Sequence, residues 1–585
     1  MAELETGLKG QIEREINTYL TGTVSIGENE FSQAKLVRRV SLFENHIYPT
    51  GKFDSQGNYK FWFDIQTPRI DAEVKNIDFD TKNIEAYSDR KKDALPNLIV
   101  NLKLKEWLRE NGQSEELNSS IEEGSAWGNV LWKRVKGAYE RVDLKNLFII
   151  NQTARTIDET PVIERHQLNQ SDLRAKKEVW KYVDEALKDC KSDSYSSTLD
   201  NQGTETTVPY YDIFERNGEV CVKDLKDANG EKVEKGDEDR YVLARVIGIG
   251  TKGIGASNSI NIKYILFADE LSGKMSDIYK EYHRGRYKGR WWREGLIELL
   301  FDCQVRANQI GNQLAQGLEW ASKTVFSSDD KLIVQNILTD LTNGDLIQGK
   351  NLRQVEVRMT GMDQLIADWN RNLELANEIC NSREIVMGEA TPGQPFRLGA
   401  LLNQNANKLF DFLREKLAIP FSEIFEQWVI PKLVKELKAK EILRLTGDSE
   451  ILNRIQQMVV DDWYIKNLIV IGPHSPEMAQ ELKDNQLEEL KKQPTLLMEG
   501  LKEVFEDYKP NVSVVITGEN SRLPEDLQTL ATFIQLEQDP VRRQALIEKA
   551  MKMKGIDAEG LPKSPPMQPM QPMQPQQNGK VALQP

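Results

Sequence analysis

Histidine and cysteine are scarce, with four of each in 585 residues. Cys190, Cys221, Cys303 and Cys380 lie far apart and form no CxxC pair, and His46, His166, His283 and His474 are equally dispersed. A closed zinc site draws its ligands from short, clustered spacings. No metal or other cofactor is therefore expected, and the thiols are read as reduced in a cytosolic setting. Long apolar runs are missing too; none approaches the roughly 20 residues that cross a bilayer. The opening "MAELETGLKG" is polar and has no apolar stretch of the secretory kind. The sequence predicts a chain that is neither secreted nor membrane-bound. A GxxxxGK[ST] loop is absent, and the Gly-Lys pairs at Gly51, Gly273, Gly349 and Gly579 lack the upstream glycine and the Ser/Thr, which argues against P-loop ATP hydrolysis. Positive charge is also in deficit. Lys and Arg number 77 against 91 Asp and Glu, for a net charge of −14. Proteins that grip duplex DNA neutralise phosphates with basic surfaces, so any contact with nucleic acid is expected to be weak or confined to a local patch.

What is present describes a globular protein, 39% hydrophobic and 29% charged. It is too long for one core and is expected to fold as several domains of an α+β, mainly helical class. In the first 120 residues "FSQAKLVRRVSLFENHIY" and "PNLIVNLKLKEWLREN" carry helical spacing, and "NYKFWFDI" alternates in strand fashion after the turn signal "DSQGN". A β-rich stretch follows, with a hairpin pivoting on Lys136-Gly137, a strand "PVIERHQL", a helix "SDLRAKKEVWKYVDEAL" and a hairpin around Asn217-Gly218. "DRYVLARVIGIG" and "INIKYILFA" read as strands. From residue 294 long helices take over. A small α/β insert separates "EGLIELLFDCQVRANQIGNQLAQGLEWASK" from a second helix striped by Met362, Leu365, Ile366, Trp369, Leu373, Ala376 and Cys380. A third helix is expected to kink or break at Pro420 and Pro431, where each ring removes a donor. The end, "PPMQPMQPMQPQQNGKVALQP", is low-complexity and is expected to be disordered.

Three local signals bear on function. "VIGIGTKGIG" resembles a phosphate-binding glycine run, but no amphipathic helix opens after it, so a glycine-rich hairpin turn is the better reading. "HRGRYKGRWWR" (283–293) is the strongest basic cluster. Arg284, Arg286, Lys288, Arg290 and Arg293 interleave with aromatics, a pattern that suits phosphate contact plus stacking. The plainer reading is a connector whose tryptophans pack under the next helix while its arginines pair with acids. The first long helix carries neutral amides on one face: Asn308, Gln309, Asn312, Gln313 and Gln316. Asn403, Gln404, Asn405 and Asn407 repeat the theme later in the chain. Amides hydrogen-bond to a neighbour without the desolvation cost of buried ions, so this face is expected to pack against another chain.

The order of these parts resembles the portal protein, or head–tail connector, of a tailed double-stranded-DNA bacteriophage. The likeness is strongest over "GRWWREGLIELLFDCQVRANQ", "LFDFLREKLAIPFSEIF" and "AWGNVLWKRV…VDLKNLFIINQTARTIDETPVIERHQLNQSDL". The resemblance implies a wing over 1–293, stem helices over 294–323 and 362–384, and a clip over 324–361 between them. It further implies a tunnel loop over 385–398, a kinked long helix returning through the wing over 399–445, a helical crown over 446–560 and the Met/Gln/Pro tail over 561–585. It implies a homo-dodecameric ring at one capsid vertex of the virion, assembled in the host cytoplasm with the major capsid and scaffolding proteins. In the clip, Asp329, Asp330, Lys331, Asn343 and Asp345 would dock terminase and head–tail adaptor proteins. Double-stranded DNA would pass along the channel, and no enzymatic activity is implied. The alternatives are another head or tail component, or an enzyme acting on nucleic acid through 283–293.

The resemblance also gives a reason for "VMGEATPGQPFRLG" (386–399). Its tunnel-loop residues would be Met387, Gly388, Glu389, Thr391, Pro392, Gly393, Gln394, Pro395 and Arg397. Glycines let such a loop change shape, while Pro392 and Pro395 limit its collapse. With one acid and one base it offers a moving polyanion little to hold. Phosphate contacts made at every step would have to be broken at every step.

Overall fold

The computed structural model describes residues 7–322 with short interruptions, 325–327, 353–355, 361–380, 396–436, parts of 456–465, 476–492 and 511–514. Residues Met1–Ile516 form one compact unit and Thr517–Pro585 a second, and none of the second is among the described residues. The fold is α+β with helix predominant. Among the described residues no helix is long and apolar enough to cross a membrane, and no disulfide links Cys190, Cys221, Cys303 and Cys380.

The centre of the first half is a five-stranded antiparallel sheet in the order Ile260–Glu270, Tyr241–Lys252, Tyr210–Cys221, Val162–Asn169, Leu147–Ile149. Helix Leu8–Thr21 covers one face, burying Leu8, Ile12, Ile16 and Tyr19 against Phe148, Phe214, Val246 and Ile262. The other face packs Ile213, Ile249 and Leu266 on Leu173, Val183 and Leu187 from two short helices, Gln170–Ala175 and Val183–Asp189. Burial along Ile260–Glu270 does not simply alternate, because both faces of the sheet are covered: adjacent Ile265 and Leu266 are both buried, one in each core. The hairpin Asn129–Val135/Ala138–Arg141 forms as expected, pairing Val135 with Ala138, with Lys136 in its turn at φ 48°. That hairpin and strand Tyr279–His283 form a separate three-stranded sheet.

Two sequence expectations fail here. Tyr210–Cys221 runs straight through Asn217-Gly218 as one strand, paired along its length with Tyr241–Lys252. Gly218 is required by a close approach and not by a turn, since a Cβ there would lie 2.8 Å from Pro161. The helix expected over 171–187 is two helices, broken where Tyr182 adopts φ 55° and the Lys181 amide donates to the Leu266 carbonyl at 2.8 Å.

The second core joins distant sequence. Phe410, Leu413, Leu417, Phe421, Phe425, Trp428 and Leu433 pack with Val100, Leu104, Trp107, Ile121, Trp132 and Tyr139. Helix Phe396–Ile424 passes through Pro420 without ending. The irregularity comes later, as a π-helical turn Phe425–Val429 just before Pro431, and helix then resumes over Ile430–Glu436. A wider turn at that point accommodates the donor that Pro431 lacks. Strand Asn511–Val514, from the region expected to be a separate crown, pairs antiparallel with Ile84–Tyr87. In the expected clip, the described part is the antiparallel pair Val325–Ser327/Arg353–Val355.

Candidate functional site

Helix Phe301–Ser322 is the element on which the site is built, and its polar face reads a piece of backbone. Gln304, Asn308 and Asn312 recur every four residues. The segment they face, residues 61–65, is extended and offers a backbone pair every two. Four residues of helix advance about 6 Å and two of extended chain about 6.6 Å, so the two repeats stay in step over several rungs. The Ile65 amide donates to Gln304 Oε1 at 3.0 Å, the Phe63 amide to Asn308 Oδ1 at 2.8 Å and the Phe61 amide to Asn312 Oδ1 at 2.8 Å. In return Gln304 Nε2 donates to the Phe63 carbonyl at 2.7 Å and Asn312 Nδ2 to that of Phe61 at 2.9 Å. Gln316 Nε2 extends the row to Asp54 Oδ2 at 3.0 Å. The start of "NYKFWFDI" pairs in strand fashion across the "DSQGN" turn, Tyr59 opposite Phe53, whereas residues 61–65 find their hydrogen-bonding partner in a helix face and not in a second strand.

This corrects the expectation for the amide face. Asn308, Asn312 and Gln316 are engaged within their own chain, and of the five amides on this face Gln309 and Gln313 are exposed. Gly311 completes the fit: a Cβ there would run into the Phe63 ring, which lies edge-on to Trp369 at 5.8 Å. Trp369 belongs to helix Met362–Cys380, held to the first helix by Asn372 Nδ2 donating to the Cys303 carbonyl at 2.9 Å and by an Arg306–Asp368 ion pair. Outside this seam the pair leaves apolar side chains in solvent. Val305, Leu318, Ile366, Leu375 and Ile379 are exposed to 42%, 56%, 45%, 49% and 38%.

Most of the basic cluster 283–293 turns inward. Arg284 makes a two-pronged ion pair with Glu73, itself 1% exposed, at 2.7 and 2.8 Å. Arg290 grips Glu298 at 2.8 and 2.9 Å and stacks over Phe31. Arg293 donates to the carbonyls of Arg290 and Arg155, and Lys288 pairs with Glu294 at 2.6 Å. Trp291 and Trp292 are fully buried, and Trp291 Nε1 donates to Glu281 at 2.9 Å. Lys416, reaching from the long helix, donates to the carbonyls of Arg284 and Gly285 at 3.2 Å. Gly128 and Gly295 cross here with no room for a Cβ on either. The segment is a structural knot between helix, sheet and long helix. Arg286 alone of the five basic residues is exposed with no ion pair among the described residues.

A charged cluster that sequence spacing does not signal lies where the two sheets meet. Lys133 Nζ sits 2.9 Å from Glu164 and 2.7 Å from Glu215, and Arg245 lies 3.1 Å from Glu215. His166 Nε2 is 3.5 Å from Glu215 and 3.6 Å from Glu164. Tyr279 donates to Glu164 and receives the Asn217 amide at 2.8 Å. Burial works against ionisation of Glu215, yet hydrogen bonds from His166 and Lys133 hold its carboxyl well below the usual range. Burial likewise opposes a charge on His166, but the hydrogen bond to Glu215 and the two carboxylates lift it above its ordinary value. The ligating atoms of Glu164, His166 and Glu215 fall within 4.8 Å of one another. The Lys133 ammonium already bridges both carboxylates, so a divalent cation would meet a site neutralised by protein. The residues come from five strands of two sheets, which is why no motif announces them.

The expected tunnel-loop residues Met387, Gly388, Glu389, Thr391, Pro392, Gly393, Gln394 and Pro395 lie outside the described residues, as do Asp329, Asp330, Lys331, Asn343 and Asp345 of the expected clip. Arg397 falls in the first turn of helix Phe396–Ile424 and so within regular structure. Asp461, in the acidic stretch "DDWY", forms a surface ion pair with Lys483 at 2.6 Å. Compared with known proteins, the chain matches no family model and no curated sequence.

Proposed function

We propose that this chain is the subunit of a phage portal: a ring at the capsid vertex that conducts double-stranded DNA and has no active site. The observation that carries the reading is the helix pair Phe301–Ser322 and Met362–Cys380. In sequence the short antiparallel strands Val325–Ser327 and Arg353–Val355 lie between the two helices, and the pair leaves five large apolar side chains in water. Exposed apolar surface of that kind marks a contact with another protein. A long helix interrupted near proline follows and returns into the core of residues 77–139, in the order the resemblance implies. The net charge of −14 per chain suits a conduit, because a ring of such chains repels a polyanion from most of its surface.

On this reading the partners are further copies of the chain, terminase, head–tail adaptors, capsid and scaffolding proteins, and the passing DNA. The enzyme alternative rested on 283–293 as a nucleic-acid patch, and that segment is mostly occupied by internal ion pairs. The test is the mass and shape of the purified full chain. Mass photometry is expected to give a species of about twelve subunits of 67.0 kDa, with ring-shaped particles in class averages. A monomer that persists at high concentration overturns the proposal.

A further inference from the structure

Three aromatic side chains stand in a row on the outside of the segment that helix Phe301–Ser322 holds. Phe53, Tyr59 and Phe61 are each more than half exposed. Phe53 and Tyr59 face one another across the "DSQGN" turn with ring centres 5.9 Å apart and planes at 81°. Tyr59 and Phe61, two positions apart on extended chain, have centres 5.5 Å apart and planes at 71°. The Tyr59 hydroxyl has no hydrogen-bond partner among the described residues. Asp54, the acid in the turn, is committed to the Asn58 amide and to Gln316. The row is therefore apolar and close to neutral, and a contiguous exposed patch of that kind marks a binding surface.

The chain also carries a segment with matching chemistry, outside the described residues. From Pro566 to Pro575 the triplet Met-Gln-Pro runs three times without interruption, and no charged residue falls between Ser564 and Asn578. A polyproline II strand has three residues per turn. In that conformation Pro566, Pro569, Pro572 and Pro575 would share one edge and Met567, Met570 and Met573 a second. We propose that the Phe53–Tyr59–Phe61 row is a docking surface for this repeat, as carried by a copy of the chain. Proline-rich strands bind on exposed aromatic side chains because little conformational freedom is lost. Methionine sulfur adds favourable contacts with ring edges. One turn of the strand rises about 9 Å, comparable with the reach of the two ring spacings in the row. Carbonyls of such a strand make no internal hydrogen bonds, so the Tyr59 hydroxyl has an acceptor to meet. The inference stands on the row and the repeat and does not depend on the ring reading.

The probe is a fluorescein-labelled peptide of residues 564–577, titrated by anisotropy against the full chain. In the host variant Pro569→Ser, Pro572→Ser and Pro575→Ser disable the chain's own repeat. Saturable binding is expected, changing less than about twofold as salt rises, since the peptide is uncharged. Adding Phe53→Ser and Tyr59→Ser should weaken it about tenfold or more. A peptide of equal composition with the triplet order scrambled should bind about tenfold more weakly, because its prolines no longer share an edge. The unaltered chain should take the peptide about threefold or more weakly than the host variant, its own repeat competing. Absence of binding, indifference to Phe53→Ser with Tyr59→Ser, or equal affinity for the scrambled peptide overturns the proposal. Equal affinity of the unaltered chain and the host variant overturns the assignment of the repeat as occupant. Tighter binding of a labelled single-stranded oligothymidylate than of the peptide, lost with the same two substitutions, overturns it in favour of base stacking. Both altered rings are exposed, and Tyr59→Ser alone serves if the double variant melts early; an unchanged affinity in it counts against the proposal.

Discussion

Arg284 and Arg286 stand two positions apart in one basic run and have opposite physical situations. The guanidinium of Arg284 is matched to a carboxylate that is itself out of water, whereas Arg286 reaches into solvent. Removing one partner of a buried pair strands the other charge. Arg284→Ala is therefore expected to destabilise the chain by about 3–5 kcal/mol, and Arg286→Ala by under about 0.5 kcal/mol. Chemical denaturation of the two variants checks the contrast, and equal midpoints would contradict it. The sequence displayed the cluster plainly, and also the plainer possibility that its arginines meet acids. It could not say which acids, because Glu73 lies more than two hundred residues upstream of Arg284. Pairing at that separation is a property of the fold.

At the scale of elements, the match between Gln304, Asn308, Asn312 and residues 61–65 depends on two repeats keeping pace. Asn308→Leu keeps the volume and removes the acceptor from the Phe63 amide, leaving that donor unsatisfied, and is expected to cost about 1–3 kcal/mol. Asn308→Asp retains an acceptor and should cost less. Thermal unfolding of both variants tests the ordering. Both halves of this seam were legible, one as an amide face and the other as a period-two run. Their mutual recognition was not, since alternation announces an extended chain without naming what bonds to it. A similar limit explains Asn217-Gly218: the dipeptide is a strong turn signal, but the neighbouring Pro161 and a full-length partner strand keep it extended. Helix boundaries fared better, with Pro96 inside the first turn of Ala94–Glu110.

Across the whole molecule, order along the chain and order in space diverge. Residues 410–433 complete a core begun at residue 77, and strand Asn511–Val514 closes on Ile84–Tyr87. No cut in the sequence would release the first half intact. On the same scale, surface left apolar on the helix pair has to meet something. Leu375→Glu with Ile379→Glu is expected to leave the melting temperature within a few degrees of wild type, since both residues are exposed. The assembled species should be lost in mass photometry. An unaltered assembly would place the subunit contact elsewhere on the surface.

Helix Phe301–Ser322 binds its extended neighbour through main-chain atoms, which every amino acid carries except for the proline nitrogen. Tyr59 and Phe61, both more than half exposed, can consequently be exchanged for residues of another character without loosening the attachment. The outward side of that segment is therefore open to variation, natural or engineered, while its inward side stays fixed. A spectroscopic label or an affinity handle installed at position 59 would report on the surroundings of the helix pair from an anchored position.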